Sequence, residues 1–444
     1  MRVHKAIALP LLLVMLVAAA NLYGADASPL LSAMKTELDR SFAALQYAEE
    51  VPMYYLSYHV TDTDKLDLAA SYGALTTDSR SHDRILGIDC RVGDYQLDNT
   101  HEIRGEYDFS FGGGSSPRLP LTDDEIAIRT VIWHATDKAY KDAQERYTKV
   151  LTNQQVLVEK EDTSADFSQE EPNTYLGEPI TVTIDAETWK PRLRQLSAIF
   201  KGYPFVERSS LRLSRTNDNR YFVDSDGAMI QTGQCYIRLF ISCSGTCEDG
   251  MRINRYQSFS TAVPEKLPDD EVIKTHIYRL IEELKVLLAA PLAEPYTGPA
   301  ILVNRAAGVF FHEIFGHRIE GHRQKSEYEG QTFARKVGKS ILPDFISIHD
   351  DPTLSEFNGT SLRGHYLYDD EGVKATPVTV VDKGILKNFL MSRSPVEGFP
   401  HSNAHGRKQA GRSVVSRQGN LMIKSTNEFP FETLKEMLLE ECEK

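Results

Sequence analysis

The sequence predicts an α+β fold in two domains, an antiparallel-sheet-and-helix N-terminal domain and a β-rich second domain. Three observations carry this. Met53 to Val60, Lys65 to Tyr72, Ile85 to Leu97 and several runs between Phe205 and Ser260 combine β-branched and aromatic residues with polar alternation, and polar turns separate them. Amphipathic helical periodicity opens and closes that region. Ala289-Ala290-Pro291-Leu292-Ala293-Glu294-Pro295-Tyr296 then breaks helical structure and sets a boundary between residues 28–292 and residues 293–444.

Residues 1–27 have the layout of a secretory signal peptide. Arg2 and Lys5 precede an apolar run from Ala6 to Ala20, and small residues lead to Ala25-Asp26-Ala27. The run is short for a membrane span, and Pro10 fits a removable peptide better than an uncleaved anchor. The expectation is an exported protein, periplasmic or extracellular, cleaved after Ala25 or Ala27 and without stable membrane insertion. No cysteine sits near that boundary, which excludes lipid attachment there.

Leu31, Met34, Leu38, Phe42 and Leu45 recur at helical spacing and predict a helix from Leu30 to Glu50. The strands that follow read as an antiparallel meander. Phe109 to Pro117 is a glycine-rich loop without the Lys-Ser/Thr of a phosphate cradle, and Gly338-Lys339-Ser340 has its nearest upstream glycine, Gly330, too far away for nucleotide binding. Thr122-Asp123-Asp124-Glu125 reads as a capping box for a long helix carrying Ile128, Ile132, Ala139, Ala143 and Tyr147. The charged stretch Glu159 to Pro172 reads as an exposed connection.

A further helix is expected from Asp185 to Phe200, then strands with turns at Asn217-Asp218-Asn219 and Asp224-Ser225-Asp226-Gly227. The second of these lacks the downstream Glu of a calcium loop, so it reads as a hairpin turn. Asp269 and Asp270 cap a helix with Ile273, Ile277, Leu280, Ile281 and Leu284 on one face. Beyond the boundary, Pro299 to Asn304 reads as a buried strand, and Phe345 to His349, Val378 to Val381 and Ile385 to Met391 as further strands with a Lys383-Gly384 turn.

Net charge of -13 and a pI near 5.5 argue against a nucleic-acid surface, and 41% hydrophobic residues suffice for buried cores. Of five cysteines, Cys243 and Cys247 form the best local disulfide pair, with Cys235 as an alternative partner. Reduced cysteines within strands fit equally well.

Chemistry concentrates in Phe310-Phe311-His312-Glu313-Ile314-Phe315-Gly316-His317-Arg318-Ile319-Glu320-Gly321-His322. Three imidazoles and two carboxylates within thirteen residues are a metal-site composition, and a Glu beside the first His can act as base on a metal-activated water. His312 and His317 are five apart, however, which places them roughly 140° apart on a regular helix. A local π-type turn, or a helix end near Gly316, would let both imidazoles reach one ion. His322, His349, His365, His401 and His405 have no partner at ligand spacing and read as surface or substrate-contacting residues. Asp369, Asp370 and Glu371 read as a turn beside the site.

The segment from His312 to His317, followed by Glu320-Gly321, resembles the motif of the TldD/PmbA family of metallopeptidases, also called modulators of DNA gyrase. Tyr368-Asp369-Asp370-Glu371-Gly372-Val373, the stretch from Asp382 to Leu390, and Ser402-Asn403-Ala404-His405-Gly406-Arg407 are similar to the same family in the same order. The resemblance implies a β-rich catalytic domain binding Zn2+ through His312 and His317, with Glu313 as catalytic base. It also implies flexible peptide substrates and a homodimer, or a heterodimer with a family paralogue. Glu320 is expected to orient His317, and His405 and Arg407 to lie near the substrate. The family's glycine-flanked cysteine ligand has no match: Cys442 continues the apolar face of Phe431, Leu434, Met437 and Leu438 and reads as a packed helix residue. The expectation is therefore a C-terminally truncated member with a partial catalytic domain. A non-catalytic binding or scaffold subunit of such a dimer is the alternative.

Overall fold

The computed structural model describes residues 27–47, 51–103, 116–156, 163–325 and 331–443. The expected signal peptide, apart from its last residue, and most of the glycine-rich loop lie outside the described residues. Among the described residues no helix is long and apolar enough to cross a membrane.

Six strands among the described residues make the first sheet: β1 Met53–Ser71, β2 Ala74–Val92, β3 Thr174–Leu176, β4 Arg208–Asp224, β5 Met229–Thr246 and β6 Arg252–Thr261. The order is β2-β1-β4-β5-β3, with β6 also on β5. Every pairing is antiparallel except the short β3–β5 contact. The expected fold class holds for this half, but the strands are longer than the polar punctuation suggests. Asp62 to Asp64 and Asn217 to Asn219 are not turns; they face each other mid-strand, Asp62 opposite Asn219 and Asp64 opposite Asn217. The chain reverses at Tyr72-Gly73, both at positive φ, and, as expected, at Ser225 to Gly227.

One face of this sheet carries the helices. Helices α1 (Pro29–Leu45) and α2 (Glu125–Val156) cover one end, where Leu31, Met34, Leu56, Tyr58, Val60, Leu86, Ile128 and Ile132 form a core. Helices α3 (Ala186–Ser197) and α4 (Asp270–Leu288) cover the other, where Leu66, Leu68, Leu211, Leu213, Leu239, Ile277, Leu280, Ile281 and Leu284 form a second.

Helix starts follow from capping. Ser28 Oγ accepts from the Leu31 amide with Pro29 at the first helical position, and Asp185 and Asp269 cap α3 and α4. For α2 the cap is Asp124, whose side chain accepts from the Ala127 amide, rather than Thr122.

The opposite face of the sheet receives the second half. Arg220 reaches Asp370 at 2.6 Å, Gln234 donates to the His365 carbonyl, and Phe222 packs on Gly372. The strands of this half are β7 Ile346–Asp350, β8 Glu356–Phe357, β9 Thr360–Ser361, β10 Val378–Asp382, β11 Ile385–Leu386, β12 Gly406–Arg407, β13 Val415–Ser416 and β14 Leu421–Ser425. Four of them form a sheet in the order β11-β10-β7-β14, and β8–β9 and β12–β13 are short antiparallel pairs. Ile348, Val380, Val381, Leu386, Phe389, Leu390 and Met391 form the core of this half.

Several expectations are corrected here. Pro299 to Asn304 forms no strand: Leu302 and Val303 are exposed, Asn304 sits at positive φ, and a short helix, α5 (Arg305–Phe310), starts directly after it. The connection at 163–172 is not exposed throughout, because Phe167 is buried between the guanidinium groups of Arg91 and Arg393 at 3.7 and 4.1 Å. Of the two cysteine readings left open, the structure has the reduced one: all five cysteines are free. Cys442 lies exposed on helix α6 (Phe431–Cys442), which buries no residue, so its apolar face is not packed as expected.

Candidate metal centre

Helix α5 leads directly into a π-turn over Phe311–Phe315 and a 3-10 turn over Gly316–Ile319. The Gly316 amide donates to the Phe311 carbonyl five residues back. That widened turn brings residues five apart to one face, which a regular helix does not. The His312 and His317 rings accordingly stand 4.6 Å apart, edge to face. Phe315 and Ile319 point into the core of the second half and fix the turn from below.

One donor atom from each of His312, Glu313 and His317 lies within 4.8 Å of the others. Glu313 is 3.9 Å from His312 Nε2 and 3.8 Å from His317 Nε2. Ligand bonds of about 2.1 Å require donors no more than about 4 Å apart, so the triangle closes on an ion with a contraction of under about 1 Å. Two imidazoles suit zinc as ligands, and the Glu313 carboxylate lies close enough to both to serve as a further donor or as a base.

Glu320 holds the second imidazole. It is fully buried, and its Oε1 lies 3.0 Å from His317 Nδ1. A neutral imidazole donating Nδ1–H to Glu320 keeps its Nε2 lone pair for a metal. Burial works to raise the Glu320 carboxyl, but the hydrogen bond from Arg323 and the charge of Arg417 hold it below its ordinary value. Gly321 is required beside it: its amide donates to the Leu390 carbonyl, and a Cβ there would lie 2.9 Å from that oxygen. Arg417, 97 residues from Glu320, has no local sequence signal and escapes a motif reading.

The other candidate residues make contacts of their own. His405, expected near substrate, is fully buried, with Nε2 3.2 Å from Asp350. Arg407 lies over the Tyr366 ring at 4.2 Å and 3.5 Å from Asp370. Asp369, Asp370 and Glu371 are buried where the two halves meet. His322 is pushed down to about 4 by burial, and its Nδ1 has no hydrogen-bond partner.

Comparison with known proteins bears on this geometry. Residues 295–441 match the family model described as the PmbA/TldA metallopeptidase C-terminal domain. Over that third of the chain the sequence is similar to the TldD/PmbA family. A metalloprotease of Archaeoglobus fulgidus is 33% identical over 167 residues, covering 37% of this chain and 36% of the relative. A zinc metalloprotease TldD homolog of Saccharolobus solfataricus is 32% identical over 165 residues, covering 36% and 34%. The matched segment thus spans about a third of each of these relatives' length. Among solved structures, a Thermotoga maritima protein described as a modulator of a DNA gyrase superposes with a TM-score of 0.54 at 17% identity, covering 91% of this chain and 80% of that one. TldE from Thermococcus kodakarensis gives 0.54 at 14% identity, covering 90% and 79%. These two show a shared fold.

Proposed function

We propose that the chain acts as a zinc-dependent peptidase on flexible or unfolded peptides. The observation that carries this is the convergence of His312, Glu313 and His317 on one face of a π-turn. His312 and His317 would hold the ion, and Glu320 keeps His317 in the orientation and tautomer that a ligand needs. Zinc, when bound, supplies a Lewis acid that polarises the scissile carbonyl and acidifies water. Glu313 takes the proton of the attacking water and hands it to the leaving amine.

The family supports a paralogue partner or a homodimer, and the N-terminal residues support export; both belong to this proposal. The test is cleavage of an unstructured fluorogenic peptide by the wild type and by Glu313→Gln. We expect a loss of about 100-fold or more in kcat/KM with zinc retained. Equal cleavage by both would overturn the role of Glu313, and zinc binding without cleavage in the wild type would favour the scaffold-subunit reading.

A further inference from the structure

The face of the first sheet that receives the second half continues past that contact as an open platform on β5 and β6. Ile237, Leu239 and Ile241 of β5 point into the helix-covered core, so Tyr236, Arg238 and Phe240 lie on the opposite face. Three guanidinium groups sit over aromatic rings there: Arg363 over Tyr236 at 4.6 Å, Arg238 over Phe240 at 4.9 Å and Arg305 over Tyr256 at 5.5 Å. Phe240 and Tyr256 themselves stack with ring centres 5.6 Å apart, which joins these pairs into one surface. Arg305 and Arg363 come from the second half and are exposed, and Tyr256 is 46% exposed.

We infer that this platform docks an acidic stretch of an extended peptide substrate; that its occupant is a substrate rests on the peptidase reading. None of the three guanidinium groups forms an ion pair among the described residues, and Arg305 alone makes a hydrogen bond, to the Ser258 hydroxyl at 3.2 Å. Arginines close by on the same strands are paired, Arg212 with Asp67 and Arg255 with Glu283. Three neighbouring cations without a carboxylate are out of keeping with a chain in which Asp and Glu outnumber Lys and Arg by 63 to 50. Stacking on a ring desolvates one flat side of a guanidinium and holds the side chain in place, while its edge N–H groups remain for a carboxylate. An incoming carboxylate then gains charge-assisted hydrogen bonds at a reduced ordering cost. The net charge of -13 repels a long polyanion such as nucleic acid, whereas a few carboxylates on one peptide strand meet these cations locally. Helix α5 begins at Arg305 and runs directly into the turn that carries His312. The rise between those two residues is about 10 Å, which an extended peptide spans in about three residues.

The test is fluorescence anisotropy with short unstructured peptides that differ only in carrying three Glu, three Gln or three Lys, and with a single-stranded oligonucleotide. It is run on Glu313→Gln so that no peptide is cut. We expect the Glu peptide to bind about tenfold tighter than the Gln peptide, the Lys peptide to bind weakest, and added salt to erase the difference. Arg238→Gln and Arg363→Gln should each weaken the Glu peptide about three- to tenfold and leave the Gln peptide unchanged, and Arg363→Lys should restore part of the loss. In the wild type the Glu peptide should be cleaved with a lower KM at unchanged kcat. Charge-dependent binding without cleavage would uphold the platform and overturn the peptidase reading; cleavage without charge preference would do the reverse. Equal binding of the Glu and Gln peptides, tighter binding of the oligonucleotide, or self-association that Arg363→Gln abolishes in place of peptide binding would overturn the inference.

Discussion

At the residue scale, the site depends on how Glu320 is held. Replacing it with Gln removes the carboxylate that faces His317 Nδ1 and leaves Arg323 and Arg417 without their buried partner. Zinc affinity should fall about 10- to 100-fold, measured by competition with a chromophoric chelator. Unchanged affinity would show that Glu320 serves packing alone. A second residue-scale prediction concerns Glu371, which burial pushes up to about 7. A carboxyl raised in the folded state contributes stability below its unfolded value, and loses it as pH rises through the folded one. Thermal stability should therefore decline between about pH 5 and pH 8 through this group, and Glu371→Gln should flatten that decline. His59 acts with the opposite sign: burial lowers it to about 4, so its contribution is lost as pH falls through that value. The grouping of His312, Glu313 and His317 is legible in the sequence because the three lie so close along the chain. The burial of His405 is not, since Asp350 reaches it from another strand.

At the element scale, the π-turn is the feature on which the metal reading depends. The five-residue spacing requires either such a turn or a helix end, and the structure has a π-turn followed by a tightened one. Phe315 anchors it in the core of the second half and packs on Phe333 at 5.7 Å. Phe315→Ala should cost about 3–5 kcal/mol, read by denaturant unfolding, and weaken zinc binding in parallel. Retained zinc affinity at reduced stability would separate the turn from the site. Strand lengths are less legible. Polar runs usually mark turns, but Asp62 to Asp64 and Asn217 to Asn219 face one another across a ladder and line a cavity, so the polar signal reports a pocket instead. Conversely, the apolar run before His312 has the composition of a buried strand, yet Leu302, Val303 and Phe310 stand exposed.

At the scale of the whole molecule, the second half is fastened to the sheet by charge. Arg393 is 2% exposed; it donates twice to the Ser168 carbonyl and once to Asp226 at 2.9 Å. Asp370, which burial works to raise, is held well below its ordinary value by Arg407 and Arg220. None of this is readable locally, because Arg220 and Asp370 are 150 residues apart and Arg393 and Asp226 are 167 apart. Arg393→Ala leaves Asp224 and Asp226 without their cation and should cost about 3–5 kcal/mol. Calorimetry should then show an earlier transition, with the two halves unfolding separately; a single unshifted transition would contradict this coupling.

The most direct measurement is zinc content by elemental mass spectrometry after dialysis, on the wild type, His317→Ala and Glu313→Gln. The account predicts near-stoichiometric zinc in the wild type and in Glu313→Gln, and its loss in His317→Ala. Zinc absent from the wild type, or retained undiminished in His317→Ala, would contradict it.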